Sequence, residues 1–377
     1  MTAKRSGTEA FTFLDPVTGR EVRQLTQSSE RSVHGYYDLP PWSPVDGRIA
    51  FTSLAPGASE GDVYMMDRDG ANITYLAHSR DVSSNDGAMA QWSHDGRRVY
   101  FKDEEDGAPR LAWVDVVTGE QGAYPGSLRM ICPTAHRNVY HTECHDLPDH
   151  VVRDGKREHG VFLMDLETGS SRRLVTVDDC LALHPRRDEV KDWHLYIKHT
   201  KWSPDGQRVM CVFTNANRYE TKYGESPWVK DIYVVNADGS GLARVGEFGG
   251  HPLWHPAGRE ILAVTPYPGR RGRSLVMHDV RTGALRLAAS CIAGFGHPSF
   301  APDGRRIVVD HVLPGEGSGS LNLVDTATDT VEHLVQTAVR DHTHVGTHLH
   351  PVWSQDGREV LYASDASGIA QLCVIDV

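Results

Sequence analysis

Two short patterns alternate along the whole chain, and that repeat constrains the fold more than any other feature. The first is an aromatic residue, a tight turn and an apolar run. It starts at Trp42 (WSPVDGRIAF), Trp92 (WSHDGRRVYF), Trp202 (WSPDGQRVMC), Trp254 (WHPAGREILA), Phe300 (FAPDGRRIVV) and Trp353 (WSQDGREVLY). A degenerate copy at Cys132 (CPTAHRNVYH) fills the widest gap, giving seven copies at spacings of 40 to 70 residues. The second pattern is an apolar strand ending in Asp or Asn. It occurs at Asp67, Asp115, Asp165, Asn236, Asp279, Asp325 and Asp376, once after each aromatic.

The turns between these runs have a physical signature. Pro and Asp initiate a turn and Gly supplies the positive φ it needs. The runs themselves are short and β-rich, without long helical periodicity. Seven units of this size predict an all-β, seven-bladed β-propeller filling residues 1–377 as a single domain. The seventh blade, ending at Val377, lacks its outermost strand. The segment FTFLDPVTGREVRQLT, Phe11 to Thr26, has the missing turn and strand. Closure is therefore expected by pairing the N-terminal strand with the C-terminal blade, which removes two open sheet edges. The Trp-Ser-Pro-Asp-Gly form resembles the repeats of TolB-type, or PD40, propellers.

Composition narrows the partners. The net charge of −11 argues against nucleic acid. No apolar run reaches the length of a membrane span or of a signal-peptide core. Six scattered Cys without a CxxC pair suit a reduced, cytoplasmic protein. Oligomeric state is not readable.

The 21 His are placed unevenly. In a propeller the strand lining the channel lies just before the repeated aromatic. Four successive blades carry His three residues ahead of it: His199, His251, His297 and His350. His348 is two residues before His350, so strand alternation predicts that both project from one face. His342 and His344 lie just upstream. Two readings stay open for such residues. Imidazoles can bridge neighbouring inner strands structurally, or convergent imidazoles can form a metal or acid–base site. HxH on one strand becomes a metal signal only with a third ligand elsewhere, and His297 is the candidate. Two other motifs carry less. Gly57-Ala-Ser59-Glu-Gly61 matches GxSxG but falls between two strands. The stretch from His141 to His159 reads as a polar insertion in blade three that either rims the site or, the favoured reading, is simply solvated.

With these residues in view, the chain resembles the oligogalacturonate lyases of polysaccharide lyase family 22. The resemblance covers nearly the whole chain. It implies a cytoplasmic seven-bladed propeller with Mn²⁺ in its channel, β-eliminating acidic oligosaccharides. The family's Gln-x-x-His-x-His-Pro metal motif corresponds to Val345-Gly-Thr-His348-Leu-His350-Pro351. A further metal His corresponds to His297, six residues before Asp303. Val345 replaces the Gln ligand, which leaves His344 or a water to substitute. The proton-abstracting His corresponds to His251, and another inner-strand His to His199. The family's catalytic Arg aligns with Asp231; Lys230 beside it, or Arg218 in the preceding loop, is the cation expected to serve. Imidazole ligands by themselves also suit Zn²⁺, Fe²⁺ or Ni²⁺. The alternative is a non-enzymatic PD40-type propeller that binds a protein or peptide.

Overall fold

The computed structural model describes residues 5–141, 153–215, 227–340 and 347–377. The protein is all-β, a seven-bladed propeller built from one five-stranded and six four-stranded antiparallel sheets. Two short helices, Val177–Ala182 and Arg187–Val190, follow blade three. The first starts at a capping box in which Thr176 and Asp179 satisfy each other's backbone donors. The repeat does not announce either helix.

The chain divides into two compact units, residues 1–126 with 288–377, and residues 127–287. The first holds blades one, two, six and seven. Its seventh sheet runs in the order Phe11–Leu14, Glu21–Gln24, Gln371–Asp376, Glu359–Ser364, Val352–Trp353. The expected closure is therefore present, with Val22 opposite Ile375, Arg23 opposite Val374 and Gln24 opposite Cys373. The second unit holds blades three, four and five.

The repeated residues have visible duties. Asp115, Asp165, Asp279 and Asp325, each ending a third strand, accept backbone N–H groups of the next turn, as Asp115 does from Thr118 at 2.9 Å and Asp279 from Thr282 at 2.8 Å. Four of the repeated Trp tie one blade to the blade before it. The indole N–H of Trp92 donates to the carbonyl of Pro41, that of Trp202 to Met130, that of Trp254 to Lys201 and that of Trp353 to Ser299. The Arg after a blade's Asp-Gly turn then lies over the next blade's Trp ring: Arg48 over Trp92, Arg208 over Trp254 and Arg306 over Trp353, 5.0–5.2 Å from the centroids. The core lies between the blades. In the first unit Trp42, Ile49, Phe51 and Tyr64 pack on Val352, Leu361, Leu372 and Val374.

Candidate metal centre

The sequence places His three residues before an aromatic, and the backbone shows what that position is. His199, His251 and His350 all have positive φ, +53°, +50° and +46°. The register with the second strand slips there, between Lys198 and Lys201 and between Gly250 and Leu253. The position is thus a bulge on the inner edge of the blade, where a left-handed residue re-aims its side chain. A left-handed non-Gly residue costs of order 1–3 kcal/mol and persists where packing enforces it, often at functional sites. His348 and His350 precede the strand Val352–Trp353 in irregular backbone. They do not converge by strand alternation, as the HxH spacing suggests, but from irregular backbone in which His350 is left-handed.

His297 arrives differently. In blade six the positive φ falls one residue earlier, at Gly296, +56°. A Cβ there would lie 1.7 Å from the carbonyl oxygen of Asp310, so only glycine fits. The close approach puts the Asp310 carboxylate against the His297 backbone N–H, which donates to it at 2.6 Å. The same carboxylate holds the His297 Nδ1, at 3.0 Å, and receives the His350 backbone N–H at 3.3 Å. Asp310 is fully buried. Burial pushes its carboxyl up, but the His297 imidazole and backbone N–H more than offset that and hold it below the usual carboxylate range.

Among the described residues His297, His348 and His350 form one group, with a nitrogen from each within 4.8 Å of the others. His348 Nδ1 and His350 Nε2 stand 3.3 Å apart. Two nitrogens bound to one ion at about 2.1 Å are roughly 3.0–3.4 Å apart, so this spacing fits a shared ion. The other ring nitrogens of two of these residues face carboxylates: His297 Nδ1 meets Asp310, and His350 Nδ1 lies 3.4 Å from Asp86. At His297 and His350 the carboxylate orients the ring and leaves Nε2 to bind, the usual arrangement of a histidine metal ligand, whereas His348 presents Nδ1. Tyr36 stands edge-on to His297 and His350, and Tyr37 packs on His297. Thr347, just ahead of His348, donates to Asp365 at 3.0 Å and fixes the approach of the chain. The donor set therefore suits a divalent ion with nitrogen preference. Asp310→Asn is expected to weaken divalent-ion binding about 10–100-fold while leaving the fold intact. Isothermal titration with Mn²⁺ and Zn²⁺, beside a circular dichroism spectrum, measures both.

The remaining candidates lie in the other unit or outside the description. His199 and Lys230 belong to blade four and His251 to blade five, all within residues 127–287. Burial, followed by the cations Lys198, Lys201 and Arg129, keeps the His199 imidazole well below its ordinary pKa, so it is neutral. The Lys201 ammonium donates to the Pro252 carbonyl and so links the strand of His199 to the residue after His251. His344, Val345 and Arg218 lie outside the described residues. Asp231, aligned with the family's Arg, is buried and paired with Arg244 and with His184, at 3.2 Å from the latter. The polar insertion of blade three is not wholly solvated, because His159 at its end is buried.

No family model matches the chain, and no curated protein matches it in sequence. Solved structures do. An oligogalacturonate lyase in complex with manganese superposes with a TM-score of 0.73 at 18% identity, covering 100% of this chain and 98% of that one. The oligogalacturonate lyase of Vibrio parahaemolyticus gives 0.73 at 17% identity, over 98% and 97%. The propeller domain of the Trilobed protease from Pyrococcus furiosus gives 0.58 at 12%, over 93% and 96%. At such identities the likeness establishes the fold.

Proposed function

We propose that the protein is a metal-dependent lyase that cleaves short uronate oligosaccharides by β-elimination. The observation that carries this is the His297–His348–His350 group, buried at His297 and His350 and partly buried at His348, with carboxylates behind two of its rings. A scaffold for a peptide partner leaves such a group unexplained. The full-length likeness to a manganese-bound oligogalacturonate lyase supports the same reading and favours Mn²⁺ among the candidate ions.

The three imidazoles would hold the ion. Bound there, it would supply Lewis acidity toward the carboxylate of a uronate ring, where charge builds as the adjacent proton leaves. His251 is the assigned base and takes the proton from C5. The electron pair forms the C4–C5 double bond, the C4–O bond breaks, and the departing oxygen takes its proton from water. His199, held neutral, is the second candidate for proton transfer. Lys230 or Arg218 is the cation assigned to the sugar end. An acidic chain thereby gains a local positive site for an acidic substrate.

The test is the ultraviolet absorbance of a 4,5-unsaturated uronate, followed over a panel of uronate oligomers. Wild-type protein resupplied with Mn²⁺ or Zn²⁺ is expected to produce it, to stop on chelation and to resume on resupply. Absence of product from every uronate, with metal bound, would overturn the proposal.

A further inference from the structure

Blade six carries a stacked pair of rings immediately beyond its metal-site histidine. Its first strand, Pro298–Phe300, pairs with Arg306–Leu313, with Phe300 opposite Ile307 and Pro298 opposite Val309. The His297 backbone N–H donates to Asp310, and Gly296 abuts the Asp310 carbonyl, so the two segments stay side by side beyond the last paired residues. Phe295 and His311 come next on each. Their rings stack with centroids 4.2 Å apart and planes inclined by 29°.

The pair shares one end of the blades with the His group. His297 precedes its inner strand, as His348 and His350 precede theirs, at the end away from the Asp-Gly turns. Two residues of chain span at most roughly 7 Å, which bounds the backbone distance from Phe295 to His297. Alternation sets the direction. Asp310 turns toward blade seven, where it accepts the His350 N–H, so His311, next on the strand, projects from the other face. The rings therefore extend the site over blade six, away from blade seven. Neither belongs to the apolar cluster that joins those two blades through Val308, Leu321 and Leu349. Both residues are half-buried, so the stack keeps part of its surface open. Ligand sites combine such aromatic walls with a few polar groups. A pyranose matches that mixture, with an apolar C–H face and a rim of hydroxyls. The phenyl ring offers the flat surface, and the imidazole behind it adds a hydrogen-bonding edge.

We propose that Phe295, backed by His311, is the platform on which an oligosaccharide lays the sugar next to the uronate ring at the His group. The inference rests on the lyase reading for the kind of sugar, and it adds the second subsite that an oligomer needs. Phe295 thereby positions substrate and selects chain length without taking part in the bond changes.

The test compares wild type, Phe295→Leu and Phe295→Tyr, each loaded with Mn²⁺, with trigalacturonate and monogalacturonate as probes. Leucine keeps the apolar bulk and removes the flat ring, and tyrosine restores the ring. Phe295→Leu is expected to raise KM for the trimer about tenfold or more and to leave kcat within about twofold, the pattern of lost uniform binding. Phe295→Tyr should behave as wild type. Monogalacturonate has no second ring to lay on the platform, so its calorimetric affinity should be the same in all three proteins. A trimer KM unchanged in Phe295→Leu, an equal loss in Phe295→Tyr, or a matching loss for the monomer overturns the proposal. If wild type forms no unsaturated product, the intact trimer is titrated calorimetrically instead. Binding that depends on Phe295 then keeps the platform while the lyase reading falls. Product from wild type with a KM indifferent to Phe295 does the reverse, and binding of neither sugar overturns both.

Discussion

His251→Asn is expected to lower kcat on a uronate oligomer by roughly 10²–10⁴, the loss that follows removal of a general base, with metal content and melting temperature unchanged. The choice of Asn follows from the backbone. His251 has φ +50° at a bulge in the inner strand Gly250–Trp254. Among residues other than Gly, Asn tolerates that conformation best, so the substitution removes the imidazole without adding strain. Ala would lose the base and strain the bulge together, and its effect could not be assigned. Two other roles predict different results. A fourth metal ligand would lose ion on substitution, which elemental analysis of the same preparation detects. A structural bridge between inner strands would cost about 1 kcal/mol of stability and leave turnover near normal. Either result removes His251 from the chemistry and makes His199, neutral and one blade earlier, the next residue to replace.

The blades were legible because their turns follow local rules. Asp, Gly and Pro fix a turn through their own backbone and side chain, so seven strands ending in Asp or Asn can be counted without knowing what they touch. The Trp that marks five of the blades was legible as a marker only. Its hydrogen bond to the preceding blade joins residues about 50 apart, as with Trp92 and Pro41. The His group was half legible. His297, His348 and His350 do converge, but the alternation argument used to predict it does not apply to irregular backbone. Asp310 was within reach of a register count: Phe300 pairs with Ile307 and Pro298 with Val309, so the next step sets His297 opposite Asp310. A carboxylate inside the apolar run IVVD was the signal. Tyr36, Tyr37 and Asp86 were not within reach. They come from irregular segments in blades one and two, and no local pattern directs a loop onto a distant pair of imidazoles.

Deletion of residues 1–26 is expected to convert soluble protein into aggregates, because these residues complete the seventh sheet rather than decorate it. Val22 and Leu25 are fully buried, and burying each contributes about 1.5–3 kcal/mol. The strand Glu21–Gln24 supplies ladder hydrogen bonds to Gln371–Asp376, and beyond it Leu25 donates to the Leu372 carbonyl at 2.7 Å. Thr26 Oγ1 accepts the Leu372 N–H at 2.9 Å. Arg23 also pairs with Glu359, which Arg68 of blade one shares while binding Asp356 at 2.9 Å. These terms together are comparable with the whole stability of a typical domain, about 5–15 kcal/mol. Their loss leaves Leu372, Cys373, Val374 and Ile375 on an open edge, an apolar β-run of the kind that pairs with other chains. Loss of the N-terminal residues alone does not prove edge pairing, since any truncation can unfold a protein. A synthetic peptide of residues 1–27, added during refolding, separates the cases. It should restore soluble protein and its melting transition, while a peptide with Val22→Asp and Leu25→Asp should not. A truncated protein that stays monomeric and melts with the full-length chain would show that the propeller closes without its first strands.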